Sequence, residues 1–322
     1  MNKKFWTLVF GLVLVLSLAG CRANQNDTES NNETQASVVV EPKAEEEVPS
    51  VDRAGNEIKV PDSIQTVMSL APSITETLVD LGEADKLVAV DTYSVGLDGV
   101  ADGLPAFDMM NPDIEQMAQL KPDLVFITGM SLIDGQDPYK QLEDLGICVI
   151  CIPTSASIEA IKEDILFLGQ VFGESSKGEA IIEAMQEKID TISKIGATIT
   201  DKKTVYFEIG AAPYMYSFGS GVFLDEMLTL IGAENIFSKE EGWINVEAES
   251  VVSKNPEVIL TNVNYIENPC DEILARDGFS NISAVQNKQV YYIDNMASSL
   301  PNENIVTALE QMAKAVYPEF YE

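Results

Sequence analysis

The sequence predicts an α/β protein of two lobes joined by one long helix, and three observations carry that prediction. Short apolar runs alternate with helical stretches from Thr66 onward, the pattern of strands covered by helices. The stretch Ser175–Gly196 places Ile181, Met185, Ile189 and Ile192 on one face of a helix that would span about 33 Å. Segments of the first half also recur in the second. With 322 residues, 46 % of them apolar, the chain is long enough for two ordinary domains.

The elements follow in order. Lys3 and Lys4 precede an apolar run from Phe5 to Leu16, then Leu18-Ala19-Gly20-Cys21, which resembles the lipobox of bacterial lipoproteins. That resemblance implies a signal peptide over 1–20 and acylation of Cys21, with an uncleaved anchor as the alternative. Acyl chains contribute roughly 0.8 kcal/mol per buried methylene, enough in several copies for stable anchoring. Residues 21–50, without aromatic or Leu and with Glu45-Glu46-Glu47, read as a solvated acidic tether.

The first lobe is assigned to 51–172. It opens on a small hairpin at Asp52–Glu57, with strands at Thr66–Leu70, Leu87–Val90, Leu124–Thr128 and Cys148–Ile152. Cys148 and Cys151 form a CxxC, but in a strand these positions face opposite sides, so they read as core residues rather than a redox pair. The connecting segment is 173–200. The second lobe, 201–322, has strands at Thr204–Ile209, Val258–Thr261 and Val290–Ile293.

The internal repeat is specific. Glu115–Phe126 and Glu249–Leu260 share a short helix, a proline that stops it, an acid and a buried strand. Upstream, Asn111-Pro112-Asp113-Ile114-Glu115 and Asn245-Val246-Glu247-Ala248-Glu249 share Asn, acid and Glu at the same offsets. Asn suits an N-cap, Pro112 the first helical position, and acids the first turn. Leu78–Gly82 and Leu228–Gly232 form a second related pair.

Composition excludes much. Lys and Arg number 20 against 52 Asp and Glu, a net charge of −32, and loss of the leader with Lys3 and Lys4 makes it −34. Nucleic-acid binding needs a cationic face, so no nucleic-acid partner is expected. The absence of His removes Ser-His-Asp, Cys-His and His-ligated zinc sites. No phosphate-cradling GxxxxGK[ST] loop occurs. Gly219-Ser220-Gly221 is a bare GxG, read as a loop before a helix that lends backbone N–H groups to a ligand.

With these segments in view, the chain resembles the substrate-binding lipoproteins of ABC importers for ferric siderophores, haem and vitamin B12. The matching stretches include Ser69–Glu76, Asn111–Glu115, Leu120–Val125, Gly219–Leu224, Gly232–Phe237 and Val246–Glu249. The resemblance implies two Rossmann-like α/β lobes joined by a single long α-helix, with the ligand in the cleft between them. It implies a non-enzymatic monomer, anchored outside the cytoplasm, whose partners are a small-molecule metal chelate and an ABC permease dimer with its ATPase. Glu115 and Glu249, one per lobe, correspond to the glutamates that dock on permease arginines. Each is also the dipole-favourable first-turn acid of its helix. Tyr93, Phe107 and Trp243 correspond to positions that line the family's ligand cleft, with Tyr214, Tyr216 and Ser220 nearby; Met109, Met110 and Met130 are expected to add soft, adaptable contact, and ordinary packing is the alternative for each.

No protein-held metal or cofactor is expected, any metal arriving within the chelate. Only Arg22, Arg53 and Arg276 supply guanidinium groups. A tri-anionic catecholate would want several cations, and haem a His ligand, so a corrinoid or hydroxamate-type ferric chelate fits better. The rival readings are a secreted carboxylate-pair enzyme such as a glycoside hydrolase, and a surface adhesin.

Overall fold

The computed structural model describes residues 48–131 and 138–321; the leader, Cys21 and nearly all of the tether lie outside them. The chain is first seen as a turn bridged antiparallel between Val51 and Glu57. The Asp52 carboxylate closes the turn on the amides of Ala54 and Asn56, at 3.0 and 2.8 Å, and accepts the Cys151 amide at 2.9 Å. One acid thus folds the hairpin and straps it to the lobe.

The N-terminal lobe runs β1 (Val67–Ser69), α1 (Pro72–Asp80), β2 (Leu87–Asp91), β3 (Ala106–Phe107), α2 (Ile114–Gln119), β4 (Leu124–Thr128), α3 (Lys140–Asp144), β5 (Cys148–Ile152) and α4 (Ile158–Phe172). The five strands pair in parallel in the order β3-β2-β1-β4-β5. Strands β4 and β5 are continuously apolar because both faces are covered. Val67, Phe126 and Ile150 pack on Ile74 and Leu168, whereas Met68, Val125 and Cys151 pack on Met117 and Leu142. Cys148 belongs to the first face and Cys151 to the second, so the CxxC thiols diverge. Burial pushes the Cys148 thiol up to about 11, which keeps it protonated and inert.

Helix α5 (Ser175–Gly196) follows. Met185, Ile189 and Ile192 are buried and Ile181 is partly buried, as the stripe predicts. The helix does not stand free between the lobes. Its apolar face joins Ile161 and Ile165 of α4 in the same core as Val205 and Leu260 of the second lobe. Its far end is held by close backbone approach, since a Cβ on Gly196 would lie 2.0 Å from the Leu230 carbonyl oxygen.

The C-terminal lobe runs β6 (Thr204–Glu208), β7 (Tyr216–Phe218), α6 (Phe223–Leu230), β8 (Glu234–Asn235), β9 (Trp243–Asn245), α7 (Ala248–Lys254), β10 (Val258–Thr261), α8 (Pro269–Ala275), α9 (Ser283–Gln286), β11 (Val290–Tyr292), α10 (Asn295–Ser299) and α11 (Ile305–Val316). Its parallel sheet has the order β11-β10-β6-β8, and β7 pairs antiparallel with β9 in a separate ribbon. The seven strands expected from the sequence all form. Strands β3, β7, β8 and β9 have two or three residues each and were not singled out as apolar runs in the sequence.

The repeat survives as paired structure with one correction. Asp113, not Asn111, caps α2, its carboxylate accepting the Gln116 amide at 3.0 Å, so Pro112 precedes the helix instead of opening it. Glu247 holds the same position before α7 but makes no side-chain cap. Lys121 and Asn255 both take left-handed backbone, φ 49° and 47°, before their prolines. Proline disfavours the helical region in the residue before it, so both helices stop there.

Candidate ligand-binding site

A cavity of about 520 Å³ opens between the lobes. On one side it is formed at the carboxyl ends of all five N-terminal strands: Ala71–Ile74 after β1, Tyr93 after β2, Asp108–Met110 after β3, Thr128 and Met130 at β4, and Ile152–Thr154 at β5. Open α/β sheets expose their ligand crevice at this edge, where the strand order reverses about β1 and β4. The other wall comes from the second lobe, with Asn295, Met296 and Ser299 of α10 and the following Leu300 and Pro301.

The projecting side chains on the first wall share one local device. Asp91 Oδ1 accepts the Tyr93 amide at 2.8 Å, Asp108 Oδ1 accepts the Met110 amide at 2.8 Å, and Thr128 Oγ1 accepts the Met130 amide at 3.2 Å. In each, a short oxygen-bearing side chain folds back on the amide two residues later, a turn that throws the intervening chain off the strand end. Tyr93, Met110 and Met130 are consequently 73 %, 50 % and 57 % exposed, an unusual position for large apolar side chains. Asp91 is fully buried and also bonded by Ser94 Oγ. Met109 is buried, its carbonyl accepting from Tyr139 Oη at 3.2 Å. On the second wall, Asp294 caps α10 through the Ala297 amide at 2.9 Å, and Asn295 Nδ2 holds the Asn262 carbonyl at 2.7 Å.

The electrostatics are one-sided. Among the described residues no Lys or Arg lines the cavity, and the charged groups there are Asp108 and Asp164. Asp164 is raised above the ordinary carboxylate range by burial, although Ser155 and Arg53 both bond it. Arg53 is spent on Asp164 and Glu163, each at 2.6 Å. Arg276 is buried against Glu208, with two bonds of 2.6 and 2.8 Å, and against Glu272, its guanidinium 4.9 Å from the Phe279 ring centre. Burial opposes its charge, but the bonds to Glu208 and Glu272 outweigh it and raise the guanidinium pKa. Neither arginine is left for an anionic ligand. The N-cap of α1, Ala71, makes no side-chain cap, so no capping side chain takes the first-turn amides of Ser73 and Ile74, two residues that line the cavity.

Of the residues singled out in the sequence, Tyr93, Met109, Met110 and Met130 line this cavity, and Met296 joins them from the second lobe. The others lie elsewhere. Phe107 is buried under the sheet end with Met117 and Tyr139. Trp243 stacks edge-on against Phe218 and Phe223, at 6.0 and 6.3 Å, on the β7–β9 ribbon. Tyr216 is half-buried in that ribbon, and Tyr214 is 86 % exposed in the loop before it. Ser220 spends its hydroxyl on the Glu240 carbonyl at 2.9 Å. The Gly219–Gly221 loop does not offer its first amides to a ligand, since those of Gly219 and Ser220 donate to the Gly242 and Glu240 carbonyls. Gly219 serves close approach instead, because a Cβ there would meet the Glu240 oxygen at 2.2 Å. Glu115 and Glu249 are exposed and occupy the second position of α2 and α7 respectively.

Met296, Leu300 and Pro301 escaped the sequence reading because nothing local marks a residue that faces another lobe. The Asp-x-Tyr, Asp-x-Met and Thr-x-Met spacings at strand ends were the available signal for the first wall.

Known proteins agree with this architecture. The periplasmic binding protein family matches residues 67–297. An uncharacterized ABC transporter substrate-binding lipoprotein of Bacillus subtilis, YvrC, is 29 % identical over 318 residues, 96 % of each chain. The molybdate-binding protein MolA of Haemophilus influenzae is 24 % identical over 308 residues, 84 % of this chain and 85 % of its own. Its molybdate-bound structure superposes with a TM-score of 0.72, covering 84 % of this chain and 91 % of MolA. A vitamin B12-binding protein of Vibrio campbellii is 27 % identical over 261 residues, 78 % of this chain and 88 % of its own. Among the described residues no helix is long and apolar enough to cross a membrane. With two parallel α/β lobes around a ligand-sized cavity and a family match over most of its length, the chain belongs to the periplasmic binding proteins and is the extracytoplasmic, non-enzymatic substrate-binding component of an ABC importer.

Proposed function

We propose that this protein is a lipid-anchored receptor for a bulky, near-neutral metal chelate, a corrinoid or a hydroxamate-type ferric siderophore. It delivers that cargo to an ABC permease dimer with its ATPase. The observation that carries this reading is the lining of the cavity: Met109, Met110, Met130, Met296 and Tyr93 supply broad, polarizable contact, and among the described residues no cation accompanies them. Such a surface grips an apolar or aromatic face, while the uncapped amides of α1 can bond a carbonyl at its edge. The vitamin B12 named for the Vibrio campbellii relative suits it. The molybdate named for MolA is a small dianion that would find no cation here. Haem, with two propionates and no His to meet its iron, is less well served.

Cys21 is the anchoring residue in this reading, and Glu115 and Glu249 meet the permease. Purified protein titrated with cyanocobalamin, a ferric trihydroxamate, haemin and molybdate, and read by native mass spectrometry, tests the ligand class. Retention of either of the first two is expected. Tight retention of molybdate alone would overturn the proposal.

A further inference from the structure

The wall that the second lobe contributes to the cavity is pegged to the first lobe. Leu300 and Pro301 line the cavity, and the next three residues lie against α1. Asn302 Nδ2 donates to Glu76 Oε2 at 2.6 Å, and Asn304 Nδ2 reaches the same oxygen at 3.3 Å. Between them Glu303 Oε2 lies 2.7 Å from Thr77 Oγ1, and Thr77 itself lines the cavity. Glu303 is 6 % exposed, and its Oε1 has no hydrogen-bond partner among the described residues.

Counting protons shows which form of Glu303 this arrangement suits. Thr77 Oγ1 is also 3.1 Å from the Ser73 carbonyl, an acceptor only. One hydroxyl proton cannot serve both Ser73 and a Glu303 carboxylate. Both contacts become hydrogen bonds when Glu303 is the neutral acid, donating to Thr77 while Thr77 donates to Ser73. The charged groups that face Glu303 from α1 are Asp80 and Glu76, both of like sign, and Asp98 lines the recess that Glu76, Asp80 and Asn304 share. Burial first, with smaller contributions from Asp80 and Glu76, pushes the Glu303 carboxyl up to about 7, against the lowering pull of the Thr77 hydroxyl and of its own backbone amide. We infer that Glu303 is a positioning residue for ligand capture, holding the 300–304 wall against α1 while it carries a proton and loosening that wall when it ionises.

The sign follows from linkage. A carboxyl whose pKa is raised in the closed joint binds its proton there more tightly than when exposed. The joint therefore weakens as pH rises from the ordinary value of 4.5 towards 7, and levels off above that. From these two values, opening of the joint should increase about tenfold between pH 6 and pH 8.

The Glu303 joint does not depend on which ligand is bound, so ligand-free protein serves as the test. Hydrogen exchange of peptides covering 72–80 and 300–305, corrected for intrinsic exchange and referenced to β6, is followed from pH 6 to 8. Protection in both peptides should fall about tenfold in wild type. In Glu303→Gln, whose amide donates to Thr77 at every pH, it should stay high and flat. Wild-type protection that does not change with pH would overturn the inference, as would an unchanged pH response in Glu303→Gln. Neither outcome bears on which chelate is bound.

Discussion

Asp123 and Thr66 hold each other reciprocally. The Asp123 carboxylate accepts the Thr66 amide at 2.9 Å and its hydroxyl at 3.0 Å, while Thr66 Oγ1 accepts the Asp123 amide at 3.0 Å. Glu257 and Thr204 repeat the contact in the other lobe at 3.0, 3.2 and 3.2 Å. In each lobe this pins the start of one central strand to the start of its neighbour, β1 to β4 and β6 to β10.

Hydrogen bonds from the Gln65 amide first, and from Thr66, hold the Asp123 carboxyl below the ordinary carboxylate range. A depressed folded pKa contributes stability that is present above the unfolded value near 3.9 and is lost as pH falls through the folded one. Asp123→Ala should cost about 1–2 kcal/mol at neutral pH, a modest figure because the group is solvent-accessible. It should also flatten the fall of Tm between about pH 4 and pH 2. Calorimetry of both proteins across that range checks it, and parallel acid slopes would count against the contact.

Arg276 and Glu208 are both buried, at 7 % and 1 % side-chain exposure. Arg276→Met removes one member and leaves a buried charge uncompensated, a loss of about 3–5 kcal/mol. The double variant Arg276→Met with Glu208→Gln should recover part of it. Denaturant unfolding measures both. Because Arg276 lies outside the cavity, the affinity of the folded fraction for the chelate should not change.

Tyr93→Ala and Met130→Ala should each weaken chelate binding by about 1–3 kcal/mol, the scale of losing an anchor in a desolvated site. The affinity should vary little with salt, since among the described residues no cation lines the cavity for salt to screen. Trp243→Ala should instead lower stability, through lost contact with Phe218 and Phe223, and leave affinity alone. Calorimetric titration at two ionic strengths separates these outcomes; a steep salt dependence would indicate an anionic cargo.

Glu115→Lys and Glu249→Lys should leave folding and chelate affinity intact, because both side chains are exposed at helix starts. Uptake in cells should fall in each and nearly vanish in the double reversal, since reversal adds repulsion to the loss of attraction. Uptake at the wild-type rate in the double variant would refute their part in docking.

The sequence by itself determined the seven strands with apolar runs, the long helix and the repeat. These are written in short-range patterns: the 181-185-189-192 stripe, the apolar runs of β4 and β5, and the Lys121-Pro122-Asp123 and Asn255-Pro256-Glu257 stops. The divergence of Cys148 and Cys151 was legible for the same reason, because alternation along a strand needs no knowledge of its neighbours. Tyr93, Met110 and Met130, named through the family resemblance and as soft contact, line the cavity because an Asp or Thr at each strand end turns the chain outward.

Only the tertiary structure decided the rest. Arg276 has the chemistry of a ligand contact, yet pairing with Glu208 across 68 residues absorbs it into the second lobe, while Trp243, 42 % exposed, lies on the β7–β9 ribbon against Phe218 and Phe223. Met296 and the 300–301 wall come from the far end of the chain, and their peg joins Thr77 to Glu303 across 226 residues. Which partner satisfies a buried polar group depends on how the lobes meet, and no local periodicity records that meeting.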